Sequence, residues 1–170
     1  MKNSLLSSWQ KDGVVSGVGN ATYLELPLTA FFASRRCSGR AIRAAMDWSV
    51  QQASIKTPLI GGFHSPLEQS VLEVMLAAQA PVVVVIARKL QTAKLPAKWR
   101  TAIEAGNLAV VSITDYTQRL TTEVAMQRNH WAARHASKIV IAEDSSGGSL
   151  AVCAAQWRQD GYPVEYLAGA

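Results

Sequence analysis

Short, nearly wholly apolar runs alternate with longer amphipathic segments along this chain. Residues 28–34 (LTAFFAS), 57–61 (TPLIG), 82–87 (VVVVIA), 108–113 (LAVVSI), 138–143 (KIVIAE) and 164–167 (VEYL) read as strands. The run at 82–87 has no polar alternation, as expected of a strand covered on both faces. Between these runs, residues 39–52, 66–79, 97–105, 120–135 and 149–159 read as helices. In the first helix Ile42, Ala45, Met46 and Ser49 recur at helical spacing and predict its buried face. Gly106 suits a helix C-cap, and Gly161-Tyr162-Pro163 marks a turn before the last strand. Strand and helix in alternation predict an α/β fold, a Rossmann-like three-layer sandwich with a mostly parallel central sheet. The expected division is an N-terminal arm or edge element over residues 1–26, followed by one Rossmann-like domain over 27–170.

Composition narrows the class further. With 49% hydrophobic residues in 170, the chain can build a real core and lacks the profile of a disordered protein. No apolar run approaches the roughly 18 residues of a membrane span. The opening MKNSLLSSWQKDG lacks the apolar core of a secretory signal, so a cytoplasmic location is expected. Cys37 and Cys153 are far apart and form no CxxC pair, which argues against a zinc site or a disulfide framework. Cys37 stands near a helix start, where a thiol pKa can fall. His130 and His135 are five residues apart, about 140° around a helix, so they cannot share a metal. No metal, cofactor or catalytic set is therefore expected. The net charge of +5 favours an anionic partner only where the charge clusters.

In open α/β sheets ligands bind where strands end and helices begin, so three loops are informative. Ser34-Arg35-Arg36-Cys37-Ser38-Gly39-Arg40 leads into the first helix with three arginines, suited to a phosphate at a helix N-terminus. Gly61-Gly62-Phe63-His64 permits close approach of a ligand to backbone, and Ser65, Pro66 and Glu68 then form a capping box. Ser145-Ser146-Gly147-Gly148-Ser149 offers small residues and free N–H groups, a nest for phosphate. Neither GxxxxGK[ST] nor GxGxxG is present. Arg88, Lys89, Lys94, Lys98 and Arg100 place more positive charge on the same rim, with Lys98 expected on the outer side of its helix.

These pieces resemble the DprA/Smf DNA-processing family, in the SLOG superfamily of Rossmann-like domains. The likeness rests on Arg128-Asn129 in a helix, on Ala142-Glu143-Asp144-Ser145-Ser146-Gly147-Gly148-Ser149-Leu150, on Ser34-Arg35 after the first core strand, and on Gly61-Gly62. It implies single-stranded DNA or a nucleotide as ligand, with a RecA-type recombinase and a second copy of the chain as partners. The site it implies comprises Ser34, Arg35, Arg36, Gly61, Gly62, His64, Arg128, Asn129, Gly147, Gly148 and Ser149, with Arg35 and Arg128 as exposed rim arginines. The stretch GGFHSPLE lacks the basic residue that the family carries just after its glycines. A nucleotide-sensing domain without DNA binding is the alternative reading. A phosphoribohydrolase of the LOG type is disfavoured, because Val152 stands where its general acid/base glutamate would be.

Overall fold

In a computed structural model, which describes residues 8–11, 14–115 and 119–168, the chain is an α/β three-layer sandwich. Six parallel strands form its centre: β3 (Leu28–Phe32), β4 (Leu59–Gly61), β5 (Val82–Ile86), β6 (Leu108–Ser112), β7 (Ala136–Ile141) and β8 (Val164–Tyr166). Before them come β1 (Ser8–Lys11) and β2 (Val14–Gly19), an antiparallel pair that extends the sheet beyond β6. The spatial order is β1-β2-β6-β5-β4-β3-β7-β8. No sequence period announced the β1–β2 pair. The Trp9 ring covers Gly17, where a Cβ would come within 2.6 Å of it, and its indole N–H donates to the Gly19 carbonyl at 2.9 Å.

Helices α1 (Gly39–Ser54), α2 (Pro66–Ala77) and α3 (Ala97–Glu104) cover one face; α4 (Thr122–Arg134) and α5 (Ser149–Gln159) cover the other. Strand alternation sorts the two cores. Phe31, Leu59, Val82, Val84 and Val110 face α1–α3, whereas Phe32, Ile60, Val83, Val85 and Ile141 face α4 and α5. Residues of β3 and β5 are buried throughout, as the unbroken apolar runs require.

The buried face of α1 differs from the one its spacing suggested. Ala41, Ala45, Ser49 and Ala53 pack inward while Ile42 remains 44% exposed. Small residues at i, i+4, i+8 and i+12 let the helix lie close to the sheet and to α2, and that proximity outweighs burial of one isoleucine.

Successive crossovers carry the chain from β3 out to β6; α4 then returns it to the far side of β3, where β7 begins. The order therefore reverses between β3 and β7, the place where such sheets usually open a ligand crevice. Here that place is laced shut. The Ser34 N–H donates to the Glu143 carbonyl at 3.0 Å, and Ser34 Oγ accepts from the Ser145 N–H at 2.9 Å.

Candidate nucleic-acid interface

One cleft opens one strand away, above the carboxyl ends of β4 and β5. Its volume is about 520 Å³, and its lining includes Gly62, Phe63, His64, Leu72, Leu76, Arg88, Lys98, Trp99, Leu120 and Arg128. One wall is apolar and aromatic, and the rim is cationic.

Arg128 is the unexpected member. Sequence placed it on an exposed rim; the structure leaves it 7% exposed. It springs from α4, on the far face of the sheet, and reaches the cleft across the end of β4. Gly62 makes the passage possible: a Cβ there would come within 2.3 Å of Arg128 Nε and 2.8 Å of Cζ. The paired glycine thus admits a guanidinium of the protein itself, where sequence suggested close approach of a ligand. Asn129, a candidate for touching base or ribose, turns its Oδ1 to accept from Arg128 Nε and Nη2, both at 3.4 Å.

Beneath Arg128 lies Glu68, 5% exposed. The capping box is present, with Ser65 Oγ accepting from the Glu68 N–H at 3.4 Å. Glu68 does more than cap. Its Oε1 accepts from the N–H groups of His64 at 2.9 Å and Ser65 at 3.2 Å, and its Oε2 accepts from the Ala33 N–H at 2.9 Å. Burial raises its pKa, and these N–H groups and the Arg128 charge act in the opposite direction. Burial likewise works against the Arg128 charge, with Glu68 compensating in part.

Phe63 has φ of 48°, in the left-handed region that a bulky residue rarely adopts. That backbone turns the Phe63 ring into the core, where it is 2% exposed, and leaves the next residue, His64, at the surface. The His64 pKa is lowered, first by burial and then by the charges of Arg128, Arg35 and Arg88. Three arginines from three different elements therefore act on one imidazole. Arg88 and Lys98, read from sequence as charges on the rim with Lys98 on the outer side of its helix, line the cleft directly.

Several anticipated residues lie elsewhere. Arg35 and Arg36 are exposed in the loop before α1, and Gly61 is buried within β4. The N-terminus of α1 is already occupied: Ser38 donates from its N–H and its hydroxyl to the Glu143 carboxylate, at 2.8 and 2.9 Å. Gly147 borders a second cleft of about 530 Å³ with Glu143, Asp144, Arg158 and Tyr166, and Gly148 and Ser149 follow at the start of α5. Two carboxylates make that cleft a poor phosphate nest. The Cys37 thiol departs from its expectation too. Burial, Glu143 and Glu68 raise its pKa, and Sγ donates to the Ser34 carbonyl at 3.3 Å. Among the described residues no three His, Cys, Asp or Glu side chains cluster as a metal site would need, and no helix is long and apolar enough to cross a membrane.

No family model matches the sequence, and no curated protein is significantly similar to it. Solved structures are similar in fold. DNA processing protein A (DprA) from Helicobacter pylori superposes with a TM-score of 0.76 at 13% identity, over 98% of this chain and 82% of that one. DprA from Streptococcus pneumoniae gives 0.73 at 17% identity, over 95% of this chain and 62% of that one. The chain has the DprA fold. A more distant likeness, with a TM-score of 0.55 at 13% identity, is to the molybdenum cofactor carrier protein of Chlamydomonas reinhardtii, over 85% of this chain and 77% of that one. The H. pylori DprA structure was described for its single-stranded DNA binding mode. On the DprA-like fold of this chain, the cleft holding Arg128 lies at the carboxyl ends of the parallel strands.

Proposed function

We propose that this chain binds single-stranded nucleic acid, taking phosphate in the cleft above β4 and β5, and acts by binding without catalysing a reaction. The observation that carries this reading is Arg128. A guanidinium 7% exposed lines an open cleft, yet among the described residues no carboxylate lies within ion-pair distance of it. Buried charges are ordinarily paired, because desolvation of a lone ion costs several kcal/mol. Glu68 is near enough to be felt but is committed to three backbone N–H groups. An anion from outside completes the arrangement, and Arg88 and Lys98 border the same space. Likeness in fold to DprA supports a strand of DNA as the source of that anion. A free nucleotide is the second reading, favoured by a cleft volume that suits one small molecule.

Fluorescence anisotropy of a labelled oligothymidylate tests the proposal. Affinity should fall with salt, with a log–log slope near −0.7 per phosphate contacted. Arg88→Gln should weaken binding by about tenfold, the value of one charge-assisted hydrogen bond. Lys138→Ala, near the amino-terminal end of β7 and paired with Glu165 at 3.2 Å, should leave it unchanged. Absence of binding at low salt overturns the reading, and saturable binding of a nucleoside monophosphate would then favour the second.

A further inference from the structure

We propose that His64 is a proton-linked phosphate ligand: the imidazole gains a proton as a phosphodiester enters the cleft, so binding strengthens as pH falls. This rests on the reading above and adds a residue and a regulation to the same site. His64 borders the cleft together with Arg88, Lys98 and Arg128. Its backbone is held from several sides. The N–H donates to Glu68 Oε1 at 2.9 Å, the carbonyl accepts from the Gln69 side chain at 2.8 Å, and the preceding Phe63 is anchored in the core. Those bonds use the main chain alone, and among the described residues nothing bonds to the ring nitrogens of His64. The ring is thus fixed at the cleft and left free to gain a proton and donate it.

The surroundings set the sign. Around His64 stand Arg128 from α4, Arg88 after β5, Lys98 on α3 and Arg35 in the loop after β3. On the acidic side are Glu68 and Glu73 of α2, while the Glu143 carboxylate is engaged by Ser38. A further cation beside three that border the same cleft is disfavoured, so the free imidazole is neutral at neutral pH, as its lowered pKa agrees. A phosphodiester reverses that balance. Its negative charge favours the imidazolium, and the second N–H gained with the proton donates to a phosphate oxygen. The pKa with phosphate bound therefore lies above the pKa without it, and affinity rises as pH falls through the interval between them.

An oligothymidylate with both ends hydroxyl has no group that titrates between about pH 5.5 and 8, so the pH profile of its anisotropy isolates the protein's part. Affinity should rise on the order of tenfold across that range, with circular dichroism checking the fold at each pH. His64→Gln should flatten the profile, and Lys138→Ala, outside the cleft lining, should keep the wild-type rise. Proton NMR should show the His64 pKa higher with the oligonucleotide than without it, while that of His130, also outside the cleft lining, stays where it is. Affinity independent of pH overturns the proton linkage and leaves nucleic-acid binding intact. A rise that persists in His64→Gln passes the proton to another group, Glu68 foremost, since burial raises its pKa, and overturns the assignment to His64. Absence of binding across the whole range overturns both readings.

Discussion

Replacement of Gly62 by alanine tests how Arg128 reaches its cleft. The backbone at Gly62 lies outside the left-handed region, so alanine meets no conformational penalty there. The obstacle is steric and local. The new methyl would stand 2.3 Å from Arg128 Nε, 2.8 Å from Cζ and 2.9 Å from Cδ. These atoms belong to the far part of a flexible side chain, so the arginine should yield before the sheet does. Stability should therefore fall by only about 1 kcal/mol, the low end of overpacking costs. Loss of the guanidinium from the cleft should instead cost about 1.5–3 kcal/mol in phosphate binding, or roughly 10- to 150-fold in affinity. Urea denaturation and oligonucleotide anisotropy on the same preparation separate the two effects. A double-mutant cycle with Arg128→Gln completes the test, since the second substitution should add little binding loss to the first. Gly62→Ala with both stability and affinity at wild-type values refutes the reasoning.

Glu68→Ala should destabilise the fold by about 2 kcal/mol in urea denaturation, because it strips three backbone N–H groups of their acceptor, that of Ala33 buried and those of His64 and Ser65 partly so. Glu143→Ala should lower the melting temperature by removing the carboxylate that accepts from the N–H and hydroxyl of Ser38, the α1 cap residue, and should strengthen oligonucleotide binding by removing a negative charge from the rim. His130 gives a pH dependence. Burial, then Arg134, lowers its pKa, so the unfolded chain binds the proton more readily, and stability should drop as pH falls below about 6.5, an effect that His130→Gln diminishes in urea titrations.

What could be read from the sequence was whatever is local. The six parallel strands and five helices follow from runs and periods a few residues long, and the Ser65–Glu68 cap from a spacing of three. What escaped depends on contacts between distant residues. Glu68 meets Ala33 across 35 positions, and Glu143 meets Ser38 across 105. Each converts a residue with an ordinary local role into a tie between loops. Trp99 escaped because the face of α3 that borders the cleft is set by how α2 and α3 sit on the sheet. Arg128-Asn129 was visible as a pair, but its depth was not. A polar residue on an amphipathic helix reads as solvent-facing unless the strand end beneath it is known to carry a glycine.

The carboxylates near the expected anion sites also bear on where the proposed one lies. Helix N-termini at strand ends are the usual anion sites of such folds, and at two of them a carboxylate of the chain already sits at the cap, Glu143 on Ser38 before α1 and Glu68 on His64 and Ser65 before α2. At α5 the start borders the cleft that holds Glu143 and Asp144, so an added anion meets like charge. Attraction for phosphate must then come from side chains, and the layer in front of the cleft, α2 and α3, supplies Lys98 and little else. The fold draws its remaining cations from elsewhere: Arg88 from the end of β5, and Arg128 from α4 on the opposite layer. Crossing the sheet edge is feasible only where the strand ends in a residue without a side chain, and β4 ends at Gly61 with Gly62 next. Because that attraction is built from arginines and a lysine, salt should weaken it steeply, as counterion release requires. Backbone N–H groups, carrying only fixed partial charges, would give a flatter dependence. The salt slope thus reports which kind of anion site the protein has built.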